Sequence, residues 1–169
     1  MSRERIEPPE TVGPVAHTSF VIRRELPGRP AHAFRFWSEP ALKARWNECH
    51  ADWRVIEDRC EFRVGGTEAK RWRTPDGAEQ TFHAHYLDIM APHRIIYAYE
   101  MSFAGARLSA SLVTIVLEPA GAKTRMTYTE QVAMLAGGGA ARDQRLAGTE
   151  QGLDRLIEVM MAAEATFRN

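Results

Sequence analysis

Residues 94–134 read RIIYAYEMSFAGARLSASLVTIVLEPAGAKTRMTYTEQVAM. This stretch alternates apolar and polar residues at period two, as half-buried strands do, and Gly105 and Gly121 interrupt it where the chain must turn. No helix-length segment separates the runs. Parallel neighbours need long crossovers, so these strands are expected to pair antiparallel.

The same pattern extends back to Ala51. ADWRVIEDR and CEFRV read as two strands with a tight turn at Asp58-Arg59. Gly65-Gly66 marks a further turn, Pro75-Asp76-Gly77 another, and Pro92 ends EQTFHAHYLDIM. HTSFVIRREL at 17–26 forms a first strand, with Phe20, Ile22 and Arg24 on one face. Between it and Ala51 lie two short helices. Pro30 opens the first, and Ser38 is expected to cap the second, with Pro40 in its first turn.

After Gly137-Gly138-Gly139 the chain reads as one long helix. Leu146, Thr149, Leu153, Leu156, Ile157 and Met160 recur at steps of three and four. Arg145, Glu150, Asp154, Arg155, Glu158 and Glu164 are assigned to its solvent sides. A one-sided helix must bury its stripe, and the sheet is the only large partner. The expected architecture is therefore α+β: a curved antiparallel sheet in the order β-α-α-β6/7-α, wrapped around a C-terminal helix, with an internal cavity. Residues 16–166 are assigned to this domain. Residues 1–15, polar and with three prolines, are expected to form a flexible arm.

Composition narrows the partners. Lys plus Arg and Asp plus Glu are both 22, so no net field draws in nucleic acid or anionic membrane. No apolar run is long enough to span a bilayer, and MSRERIEPPE lacks a signal-peptide core. A cytoplasmic, soluble protein is expected. Cys49 and Cys60 fit no zinc pattern and read as free thiols.

Strand parity names the cavity wall. Ile95, Tyr97, Tyr99 and Met101 share a face, as do Ser109, Ser111, Val113, Ile115 and Leu117. Met126, Tyr128, Glu130 and Val132 form a third row. With Trp37, Trp46, Leu153, Leu156 and Met160, these surround one interior, and each fits an ordinary core as well. No catalytic residue is assigned firmly. Glu130 with His83 or His85 could form an acid–base pair, although a salt bridge from Glu130 to Arg71 or Arg73 is the plainer expectation. His83-Ala84-His85, with Glu130 or with Cys49-His50, also suggests metal ligands. Spacing alone does not carry that idea, so neither a metal nor a cofactor is assigned.

Five segments together resemble a known family: FRFWSEPALKARW (34–46), EFRVGG (61–66), HYLDIMAPHRIIYAY (85–99), TRMTYTE (124–130) and GTEQGLDRL (148–156). Their order is similar to that of the SRPBCC superfamily, the START-like or birch-pollen-allergen-like helix-grip proteins. The nearest branch is named for the activator of heat-shock protein 90 ATPase, in its short bacterial form. Glu61 stands where that branch usually has Asp. The resemblance implies the helix-grip fold and a cavity for a small hydrophobic or aromatic molecule such as a lipid, polyketide or flavonoid-like compound. It also admits a cyclase or aromatase using Glu130 with a cavity Tyr or His, and a co-chaperone regulating a heat-shock ATPase. Sheet edges in this fold can pair between copies, so a homodimer is open to test.

Overall fold

A computed structural model of the chain describes residues 14–48 and 50–166. The arm expected over 1–15 lies almost wholly outside the described residues. Seven strands form one antiparallel sheet: β1 (Ala16–Leu26), β2 (Arg54–Cys60), β3 (Thr67–Arg73), β4 (Glu79–Met90), β5 (Arg94–Phe103), β6 (Ala106–Ala120) and β7 (Lys123–Met134). Their spatial order is β1-β7-β6-β5-β4-β3-β2. Helices α1 (Pro30–Ser38) and α2 (Pro40–Ala44) follow β1, and α3 (Gly138–Thr166) closes the chain. This is the helix-grip architecture, with six strands after α2.

The two short helices are separate because of one proline. Pro40 disfavours a helical residue before it, and Glu39 is extended at φ −98° and ψ 116°. Glu39, not Ser38, therefore occupies the N-cap of α2, without a side-chain cap, while Ser38 ends α1.

The expected turn at Asp58-Arg59 is not there. Asp58 pairs with Lys70 and Arg59 with Ala69, so β2 runs on to Cys60. The reversal falls at residues 61–66. Gly65 has φ +78°, and a Cβ on Gly66 would lie 2.1 Å from the Glu61 carbonyl oxygen, so neither accepts a side chain without strain. Gly65 N–H donates to the Tyr86 carbonyl at 2.8 Å, and Tyr86 N–H donates to the Gly66 carbonyl at 3.0 Å. The glycine pair thereby fixes Tyr86, whose phenol enters the site below.

The interior has two ends. At one, Leu26, Ile95, Val113, Ile115, Leu117, Met126, Leu156 and Met160 pack with Phe36 of α1 as a closed core. α3 is held over this end by Arg24, which donates from Nε to Asp154 at 3.0 Å and lies 3.7 Å from Glu150. At the other end, β3, β4 and β5 curve away from the first half of α3. Register shifts at Val55/Glu57, Tyr86/Asp88 and Met101/Ser102 mark where the strands bend. Among the described residues no helix is long and apolar enough to cross a membrane.

Candidate functional site

The hollow end encloses about 830 Å³. Its floor is the sheet: Glu68, Lys70 and Trp72 of β3, Gln80, Phe82 and Tyr86 of β4, Tyr97, Tyr99 and Met101 of β5, and Tyr128 of β7. Trp37 and Trp46 close one side. They meet edge to face at 5.5 Å, and Trp46 Nε1 donates to the Phe36 carbonyl at 2.9 Å, which locks the indole in place. The roof is α3, and there the chain is small or polar: Ala141, Gln144, Arg145, Gly148, Thr149 and Gly152. A Cβ on Gly148 or Gly152 would meet nothing within 4 Å. The cavity exists because these positions do not fill it.

The expected wall residues divide. Trp37, Trp46, Tyr97, Tyr99, Met101, Tyr128 and Leu153 line the cavity. Val113, Met126, Leu156 and Met160 do not: each is completely buried in the closed core. The reason lies in α3, whose bulky residues sit in its second half and whose small ones sit over the hollow. Ser111 and Glu130 lie behind the wall rather than on it.

Glu130 is fully buried and anchors a network. Its Oε1 accepts from Tyr99 Oη at 2.6 Å, Ser111 Oγ at 2.7 Å and Arg145 at 3.1 Å. Its Oε2 accepts from Tyr128 Oη at 3.0 Å. Arg145 also donates to Tyr99 Oη at 2.8 Å and to Ser109 Oγ at 2.6 Å, and it lies over the Tyr99 ring at 5.5 Å. The partner of Glu130 is thus Arg145, not Arg71 or Arg73, and Arg145 faces inward, not to solvent. Burial opposes the charge on Arg145, yet Tyr99 and Glu130 hold its guanidinium above the ordinary value. Glu130 is completely buried behind the wall, with Oε1 held by three donors and Oε2 by one, so it presents no carboxylate oxygen to a ligand for proton abstraction.

His83 and His85 belong to the other face. Both are exposed, because Phe82, Ala84 and Tyr86 take the inward parity of β4. His83 Nδ1 lies 3.5 Å from Glu100 on the outer surface. Neither imidazole pairs with Glu130, which removes the acid–base pair. Cys49 lies outside the described residues, and among those described no three metal-ligating side chains converge.

A second polar group was not read from the sequence. Glu68 accepts through Oε2 from Lys43 Nζ at 2.5 Å and Tyr86 Oη at 2.6 Å. Lys70 lies beside it, over the Trp72 ring at 5.7 Å. The signal was present: Glu68 and Lys70 share strand parity with Trp72, and the large aromatic marks the inward face. Arg145 had a comparable one, since stepping back from Leu153 by four and four along the stripe reaches it.

All four tyrosines of the chain, Tyr86, Tyr97, Tyr99 and Tyr128, line this cavity. Burial is the first cause that pushes each phenol above its ordinary value; Glu68 adds to it for Tyr86 and Glu130 for Tyr99. The folded state therefore keeps protons that the unfolded chain gives up above about pH 10. The stability held by these groups is complete below that pH and is lost as the pH rises further. Tyrosinate absorbance is expected to stay flat past pH 10 and to appear in one step with loss of native circular dichroism. A gradual rise in a chain still folded would show the phenols open to water.

The family model described as activator of Hsp90 ATPase homolog 1-like protein matches residues 28–163. The chain belongs to this family. Among solved structures, a protein of Rhizobium leguminosarum is 41% identical at TM-score 0.82, covering 88% of this chain and 97% of its own. Mll3558 of Rhizobium loti is 35% identical at TM-score 0.80, covering 87% and 99%. The AHSA1-like protein of Aeromonas hydrophila, at 20% identity and TM-score 0.65 over 87% and 94%, shares the fold of the family. No match is found among curated proteins.

Proposed function

We propose that this member of the activator of Hsp90 ATPase homolog 1-like family binds one small, largely apolar molecule in the space between the sheet and α3. The observation that carries this is the wall itself. A volume of about 830 Å³ falls within the roughly 300–1,000 Å³ of small-molecule sites. Three tryptophans, four tyrosines and Phe82 supply apolar area, while a few buried polar side chains supply orientation. The Glu130–Arg145 network serves to hold Tyr99 and Tyr128 in the wall, which favours a container over a cyclase.

Trp37, Trp46 and Trp72 all touch the space, so occupancy should quench the intrinsic fluorescence. Titration with a flavonoid, a polyketide-like polycycle and a fatty acid, followed by native mass spectrometry, is expected to give a saturable one-to-one adduct with at least one of them. At a hundredfold excess over Kd the ligand should stabilise the fold by about 2.7 kcal/mol. No saturable binding across the panel would sink the reading.

A further inference from the structure

The polar groups in and behind the cavity wall differ in how fully they are satisfied. Around Arg145, both Glu130 oxygens have donors. On β3, Glu68 is only 3% exposed. Its Oε2 has two donors, but among the described residues its Oε1 has none. Among the described residues, the other two buried side-chain atoms without partners, His32 Nε2 and Arg71 Nε, belong to residues outside the cavity wall. Leaving a buried acceptor unmet costs the folded protein its desolvation.

Lys43 already sits against the Glu68 carboxylate, so the charge is balanced. What the carboxylate lacks is a hydrogen bond, not a second cation. Two residues on, the Lys70 ammonium makes only long contacts, 3.4 Å to the Asn47 carbonyl and 3.5 Å to Asp58. Aromatic surface surrounds both.

We propose that Glu68 is the recognition group for a ligand hydroxyl, so that the cavity selects aromatic alcohols of the phenol class over hydrocarbons, ethers and fatty acids. A phenol O–H donates to the unmet oxygen, buried in this structure, once the Glu68 side chain turns it toward the cavity that the residue lines, while its own oxygen can accept from a neighbouring lysine ammonium. A methyl ether fills the same space and leaves Glu68 unmet. A ligand carboxylate sets two acceptors against each other. The proposal rests on the cavity reading above and names the chemistry of that same site.

Three matched probes test it by calorimetry: 4-phenylphenol, 4-methoxybiphenyl and biphenyl-4-carboxylate. The phenol is expected to bind at least tenfold tighter than either other probe. In Lys43→Met/Glu68→Met, which removes both charges together, the phenol-to-ether ratio should fall to near one while the ether still binds. Glu68→Gln should lower the ratio at least threefold, and the wild-type ratio stands as the test if the double variant does not fold. Equal binding of the three probes, or tightest binding of the carboxylate, overturns the assignment of Glu68 but leaves the container intact. Binding of none overturns both.

Discussion

Arg145→Met is expected to lower the melting temperature by about 10 °C. Among the described residues, Arg145 is the one cation paired with the completely buried Glu130 carboxylate, at 3.1 Å. Removing one partner of such a pair leaves a charge with no counter-ion in a poor solvent, which costs about 3–5 kcal/mol. For a chain of this length, each kcal/mol moves the midpoint by roughly 2–4 °C. The loss comes from the stranded charge and not from the missing contacts. Arg145→Met combined with Glu130→Gln should therefore recover at least half of it, since the amide oxygen still accepts from Tyr99 and Ser111 and the amide NH2 can donate to the Tyr128 hydroxyl oxygen. A single variant that melts within about 2 °C of the parent would show that water reaches Glu130 and that the network is not structural.

The second large effect runs in opposite directions for stability and binding. Gly152→Leu is expected to raise the melting temperature while weakening ligand binding at least a hundredfold. Gly152 lies within α3, lines the cavity, and would place a new Cβ in open space. Replacing a mid-helix glycine gains about 0.8–1.0 kcal/mol from propensity alone. A leucine that fills apolar space adds to this, at about 1.5–3 kcal/mol if fully buried. The same atoms occupy the volume a ligand needs. Thermal melts and the fluorescence titration, run on one preparation, separate the two. Unchanged affinity in a well-folded variant would place the ligand elsewhere.

Much of this is legible in the sequence. The β4–β7 strands announce themselves because one face is buried and the other wet, so period two is sharp. β2 was misread for the opposite reason. As an edge strand it has no fully buried residue, its alternation blurs, and the charged pair Asp58-Arg59 passes for a turn. Tyr97, Tyr99, Met101 and Tyr128 could be placed on the wall from parity alone.

Arg145, Glu68 and Lys70 could not be placed by a rule that sends charge to solvent. That rule holds for unpaired charges. It fails where Glu130 and Lys43 stand ready as partners, and such pairing is three-dimensional. The histidines show the converse. His83 and His85 attracted attention as a chemical pattern, yet the parity of Phe82 and Tyr86 already placed them outside.

The seam between β1 and β7 bears on how the chain reaches this state. Leu26 lies across from Thr124 and Ala16 across from Met134, so the pairing joins residues roughly a hundred positions apart. Contacts of such long sequence separation are slow to form, because the loop entropy is lost before the contacts repay it. On the ribosome, β1 must wait for β7, which emerges roughly a hundred residues later, while the β2-to-β6 meander can assemble from neighbours. Until the seam closes, Phe20 and Ile22 lack the β7 strand beside which they are buried. The timing of synthesis, more than the strength of any single contact, then governs how long that apolar edge stays open to other chains.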